Sequence, residues 1–185
     1  DSHGVWQVPL EDAEEAMRLV RRMSVAWDIN PKEVGIMGFS AGGHLASTVA
    51  PHSSGDAGPD FQILFYPVIT MEQGITHKGS RENLLGKKPK RKLMNQFCNE
   101  QHVSGSTPRA FIVLAHDDKA VSPLNSISYY EELCLHKVPA TMHIYPSGGH
   151  GFGSLQSFLY HYEMMLELKA KIGRAVQQEC RDRSR

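Results

Sequence analysis

The amino-acid sequence predicts an α/β fold built on a mainly parallel sheet. Short apolar runs at 34–39, 61–66 and 110–115 lack the polar alternation of a half-solvated strand, so they read as strands buried on both faces. Stretches with helical spacing lie before, between and after the runs, and strand-helix alternation is the signature of a parallel sheet. The chain has 185 residues, 41% hydrophobic and 22% charged, a globular composition long enough to bury a core. Residues 1–185 therefore read as a single domain.

The elements follow in order. Ala13, Ala16, Met17, Val20 and Met23 recur at spacings of three and four, which predicts a helix over about 10–27. Its acids, Asp12, Glu14 and Glu15, precede its Arg18, Arg21 and Arg22, as the helix dipole favours. Asn30-Pro31 breaks the chain before the strand at 34–39. A small-residue stretch at 42–50 suits a helix packed close to a sheet. The strand at 61–66 stops at Pro67, and the one at 110–115 follows a long polar interval. Residues 124–136 read as an amphipathic helix with Ile127, Tyr130, Leu133 and Cys134 on one side. A strand at 141–145 stops at Pro146, a last helix spans about 157–172, and the Arg-rich tail after Cys180 frays. Residues 67–109 form an insertion too long for plain connection and read as a lid-like segment. The run Lys87-Lys88-Pro89-Lys90-Arg91-Lys92 within it reads as a solvated surface.

Composition excludes several function classes. Lys plus Arg is 20 and Asp plus Glu is 20, so no excess positive charge suits a nucleic acid or an anionic membrane. No apolar run approaches the roughly 18 residues needed to span a bilayer. The first residues, Asp1-Ser2-His3-Gly4, have no signal-peptide character, and the start lacks Met, so the compartment stays open. Cys98, Cys134 and Cys180 are odd in number and form no CxxC pair, which predicts reduced, mostly buried thiols. Neither a GxGxxG nor an HExxH motif is present, so no cofactor or metal is expected.

The chemistry concentrates in Gly38-Phe39-Ser40-Ala41-Gly42, a G-x-S-x-G sequence between a strand and a small-residue helix. There a serine sits on a strained strand-to-helix turn, flanking glycines remove Cβ clashes, and the hydroxyl is lifted clear of the sheet. The Ala41 N–H, at the helix start, can meet an oxyanion. A serine nucleophile needs a base. Of ten histidines, His44, His136 and His161 fall on expected helices, His143 lies in a strand and His116 ends one. His150, in Ser147-Gly148-Gly149-His150-Gly151-Phe152-Gly153 directly after the last expected strand, has the loop setting that lets an imidazole reach over the sheet edge. The orienting acid should follow the preceding strand, where Asp117 and Asp118 compete. Strand-end side chains alternate, so one of the two faces His150. Asp118 is preferred because it places Val121 to tuck into the core, with Asp117 the alternative. Strand ends of a parallel sheet share one edge, which would bring Ser40, Asp118 and His150 together.

These segments resemble the α/β-hydrolases of the esterase/lipase group, near bacterial acetyl esterases and xylanase-associated esterases. The resemblance runs from Trp27-Asp28-Ile29-Asn30-Pro31 through the serine motif to Gly43-His44-Leu45-Ala46. It continues in Phe65-Tyr66-Pro67-Val68-Ile69, Gly79-Ser80-Arg81-Glu82-Asn83-Leu84-Leu85-Gly86, His116-Asp117-Asp118, Pro123-Leu124-Asn125-Ser126 and the glycine-flanked His150. It implies a three-layer α/β-hydrolase fold, with Ser40 as nucleophile, Asp118 as acid, His150 as base and Ala41 in the oxyanion hole. It also implies a short-acyl ester substrate, acetyl on plant-type polysaccharide included. Such enzymes begin with further strands and a His-Gly-Gly-Gly-type loop, which this sequence does not contain. The expectation is an N-terminally truncated fold of about five strands instead of about eight, short by on the order of 80 to 100 residues of strand-helix repeat.

Three functions fit the sequence. A serine carboxylic ester hydrolase uses all the motifs. A prolyl-oligopeptidase-type peptidase shares the triad order, but the paired-Glu motif and propeller repeats that would favour it are absent. The third is a partner-dependent fragment, inactive by itself, whose exposed sheet edge is covered by other strands or by a second copy of the chain.

Overall fold

Four strands, β1 (Gly35–Phe39), β2 (Phe61–Phe65), β3 (Arg109–Ala115) and β4 (Ala140–Tyr145), form one sheet in the order β1-β2-β3-β4. Every neighbouring pair is parallel, with Gly38 opposite Leu64, Leu64 opposite Ile112 and Ile112 opposite Met142. The computed structural model describes residues 6–153 and 155–170. They divide into two compact units, Asp1–Gly151 and Phe152–Arg185.

The sheet belongs to the first unit, with helices α1 (Gln7–Arg22), α2 (Ala41–His52), α3 (Lys78–Leu85), α4 (Arg91–Gln96) and α5 (Leu124–Leu135). A monotone strand order with right-handed crossovers puts the connecting helices on one face. Accordingly α1 packs on α2, and α2 and α5 both touch a 3₁₀ turn at Asn99–His102. Arg21, near the end of α1, pairs with Asp60 at 3.1 Å, and Asp60 accepts the Val34 N–H at 2.8 Å. These bonds moor α1 to the start of β1 and β2. On α5, the buried Tyr129 hydroxyl donates to Gln62 of β2 at 3.1 Å, and the Gln62 amide donates to the Pro108 carbonyl. No polar tip of this pair is left unmatched in the core.

The structure corrects several sequence expectations. The described residues hold four strands where about five were expected, the four being the apolar runs named above, while residues 67–108 carry α3, α4 and the 3₁₀ turn. Strand β1 is not buried on both faces: it lies at the sheet edge, and Met37 is 56% and Phe39 36% exposed. Helix α1 starts and stops earlier than 10–27. Residues 23–28 are turns, Asp28 has a positive φ of 52°, and no acid lies in the first helical turn. The buried side of α5 is Asn125, Ser126, Tyr129 and Leu133, while Ile127 and Cys134 are exposed. Cys98 is buried, and Cys180 lies outside the described residues.

Residues 67–109 are anchored by a small core of their own. Val68, Met71, Leu85, Phe97, Cys98 and Val121 are buried together, with Trp6, Leu84, Leu93 and Met94 packed against them. Each large side chain buried this way contributes about 1.5–3 kcal/mol. Val121 tucks in as its spacing from Asp118 predicted.

In the second unit, residues 161–170 are helical. The expected start at 157 is displaced because 156–160 run through turns and a bend, with the Phe152 and Phe158 rings stacked at 4.1 Å. Residues 171–172 and the tail after Cys180 lie outside the described residues.

Candidate active site

Three of the four strands, β1, β2 and β3, launch a loop of the site from a last ladder bond, and β4 is followed by the loop that carries His150. The Ser40 N–H donates to the Phe65 carbonyl (3.0 Å), the Tyr66 N–H to Val113 (2.6 Å) and the His116 N–H to Tyr145 (2.7 Å). Ser40, Tyr66, Asp117, Asp118 and His150 all follow C-terminal strand ends, so they share one edge of the sheet.

Ser40 adopts φ 53°, ψ −118°, a conformation costing about 1–3 kcal/mol for a residue with a side chain. Backbone bonds over-determine it. Its N–H is held by Phe65, and its carbonyl accepts from Val68 N–H at 3.1 Å and His44 N–H at 3.2 Å. The two motif glycines do different work. A Cβ on Gly38 would lie 2.5 Å from the Gly42 carbonyl carbon and 2.7 Å from the Gly43 nitrogen, whereas a Cβ on Gly42 would meet nothing within 4 Å. The second close approach is at Gly43, where a Cβ would sit 2.7 Å from Pro67 Cβ. Ala41 is the first residue of α2, so its N–H has no acceptor one turn back within the helix.

The Ser40 Oγ lies 2.8 Å from His150 Nε2, and His150 Nδ1 lies 2.7 Å from Asp118 Oδ2. A carboxylate only accepts, so Nδ1 carries the proton and Nε2 accepts from the serine hydroxyl. The Asp118 side chain is 1% exposed and that of His150 26%. Asp118 Oδ1 also accepts the N–H groups of Ala120 and Val121, both at 2.9 Å, so three donors fix its carboxylate. Asp117 faces elsewhere, its Oδ1 accepting the Gly149 N–H at 2.8 Å. Among the described residues no three His, Cys, Asp or Glu side chains gather as metal ligands would.

Two further residues carry no assigned role in the sequence reading. The Tyr66 ring packs edge-on to the His150 ring at 4.7 Å, from a backbone with φ 37°. Asn125, fully buried, accepts from the N–H groups of Ile69 and Thr70 and donates to the Ile75 and Ser122 carbonyls. The signal for Tyr66 was its place after a strand at the same edge as the serine. For Asn125 it was a polar side chain beside the helix start that follows the acid.

Behind the serine turn lies a buried polar network. His44 Nε2 meets the Phe97 carbonyl at 3.0 Å, and Asn99 Nδ2 donates to the His44 carbonyl, Ser47 and Thr48. Burial pushes the His44 imidazole down to about 4, so it is neutral at pH 7. Burial likewise pushes the Cys98 thiol up, which suits an inert packing residue.

Comparison with known proteins agrees with this architecture. A family model described as alpha/beta hydrolase fold matches residues 5–154. The chain belongs to that family. It is 43% identical over 170 residues to an acetylxylan esterase of Xylanibacter ruminicola, covering 90% of this chain and 35% of that protein. It is 34% identical over 154 residues to endo-1,4-beta-xylanase B of Butyrivibrio fibrisolvens, covering 77% of this chain and 24% of that one. Among solved structures, an acetyl ester-xyloside bifunctional hydrolase from Caldicellulosiruptor lactoaceticus superposes with a TM-score of 0.81 at 36% identity, covering 89% of this chain and 65% of that one. The chain thus spans about a third or less of the curated relatives and 65% of this solved α/β-hydrolase. No helix among the described residues is long and apolar enough to cross a membrane.

Proposed function

We propose that this chain carries the catalytic residues of a serine carboxylic ester hydrolase acting on short acyl esters, acetyl groups on carbohydrate foremost. The observation that carries the reading is the relay Ser40–His150–Asp118, with successive contacts of 2.8 and 2.7 Å. In this mechanism Ser40 Oγ attacks the acyl carbonyl while His150 Nε2 takes its proton. The Ala41 N–H stabilises the oxyanion, and His150 returns the proton to the leaving alcohol. Water activated by His150 then releases the acid and regenerates Ser40. Buried Asp118 holds the tautomer and stabilises the imidazolium. The acetyl preference is supported by the likeness to the Xylanibacter acetylxylan esterase.

The test is hydrolysis of p-nitrophenyl acetate and of acetylated xylo-oligosaccharides beside Ser40→Ala. Turnover that vanishes in the variant supports the reading, and equal rates in both overturn it for this chain. A second reading, a fragment that needs a partner or a second copy along β1, is favoured by the exposure of Met37 and Phe39 on that edge strand. Size-exclusion chromatography checks it, and a well-behaved monomer with full activity counts against it.

A further inference from the structure

We propose that Asp117 is a positioning residue for the base, fixing the backbone of the His150 loop while Asp118 holds the imidazole. The inference rests on the esterase reading. The loop around His150 is glycine-rich, with Gly148, Gly149 and Gly151 at φ 152°, 61° and 84°. Glycines lose more conformational freedom on ordering than any other residue, so such a loop does not hold its own shape. His150 must nevertheless meet Ser40 at 2.8 Å and Asp118 at 2.7 Å at once. The bond from the Gly149 N–H to Asp117 Oδ1, at 2.8 Å, acts on the residue next to His150 and spans 32 positions of sequence. Its acceptor is a carboxylate oxygen, and a charged acceptor roughly doubles the strength of such a bond.

The two adjacent aspartates divide the work by geometry. Asp117 is exposed and reaches across to backbone, whereas Asp118 is turned inward against the ring and its own turn. Asp117 touches no reacting atom and acts through the loop. Losing its bond lets His150 leave the productive geometry, which lowers the rate of acylation and leaves the substrate contacts in place.

Asp117→Ala, Asp117→Asn and Ser40→Ala are compared for p-nitrophenyl acetate turnover and for labelling of Ser40 by a fluorophosphonate. Asp117→Ala is expected to lose about tenfold in kcat and in labelling rate with KM unchanged, the worth of one charge-assisted hydrogen bond. Asp117→Asn, which keeps an amide oxygen as acceptor, recovers most of that loss. Hydrogen exchange of the Gly149 amide in isotope-labelled protein is the readout independent of turnover: fast in Asp117→Ala, slow in the wild type and Asp117→Asn. A Gly149 amide that exchanges equally in all three overturns the proposal. So does an Asp117→Ala protein with wild-type labelling. Ser40→Ala that still labels or turns over ester overturns the esterase reading instead, while the amide exchange continues to judge the role of Asp117.

Discussion

Gly38→Ala is the sharpest perturbation of the serine turn. The added Cβ falls 2.5 Å from the Gly42 carbonyl carbon and 2.7 Å from the Gly43 nitrogen, and both are backbone atoms. No side chain can rotate out of the way, so β1 and the first turn of α2 must part by about 1 Å to reach ordinary contact. Overpacking of this kind costs about 1–3 kcal/mol, which lowers Tm by roughly 3–10 °C for a chain of this size. Ser40 lies between the two parting elements, and a displacement of that order costs about 10² in rate. Gly42→Ala is the matched control. Its Cβ meets nothing, and at the start of α2 alanine is the better helix former by up to about 1 kcal/mol. The assay is kcat/KM on p-nitrophenyl acetate together with thermal melting of both variants. A Gly38→Ala protein with unaltered Tm, or a Gly42→Ala protein as damaged as Gly38→Ala, refutes the reasoning.

Asp118→Asn should lower kcat by about 10³ to 10⁴, because an amide in place of the carboxylate favours the wrong imidazole tautomer. Steady-state kinetics on the same ester checks this, and a loss under tenfold contradicts it. His44, free at 6.5 and held at about 4 when folded, is buried neutral. Between those values the unfolded chain binds the extra proton. The stability His44 contributes is therefore complete above pH 6.5 and falls by roughly 3 kcal/mol towards pH 4. Urea midpoints from pH 7 to 4 should drop steeply in the wild type and more gently in His44→Gln, and parallel curves count against the assignment. Asn125→Ala strands the buried Ile69 and Thr70 N–H groups, with an expected cost of about 3 kcal/mol in urea unfolding. A cost under 1 kcal/mol would mean that other acceptors reach them.

What could be read from sequence was whatever the chain encodes locally. Apolar runs ended by proline located β2 and β4, and G-x-S-x-G between a strand and a small-residue stretch located the serine turn. Properties set by neighbours in space were out of reach. Periodicity showed that 34–39 is apolar, but not that β1 has a partner on one side only. Hydrophobicity predicts one face of helix α5, yet two of its four buried residues, Asn125 and Ser126, are polar. Asn125 is buried because four backbone groups satisfy its amide, and three of them, on Ile69, Thr70 and Ile75, lie 50 or more residues away. The aspartate pair was ambiguous for the same reason. Alternation says that one of two side chains faces the base, and only the path of the His150 loop decides which.

The two halves of the relay are held by opposite means, and their sensitivities should differ accordingly. Ser40 is fixed by backbone: one ladder bond, two bonds to its carbonyl, and a packing distance between Gly38 and Gly42 that admits no side chain. These are backbone restraints, so the serine turn is vulnerable first to added volume. His150 sits on a loop whose glycines leave the backbone free and whose fixed points are two carboxylates, Asp118 on the ring and Asp117 on the Gly149 N–H. That half is tolerant of volume, since a Cβ on Gly149 or Gly151 meets nothing within 4 Å, and vulnerable to loss of acceptors. The positive φ at both glycines still limits which residues can replace them. A parallel sheet supplies the first kind of rigidity wherever a strand runs straight into a helix. It cannot supply the second, because beyond its last strand the ladder has ended, and side chains from the neighbouring strand end must take its place.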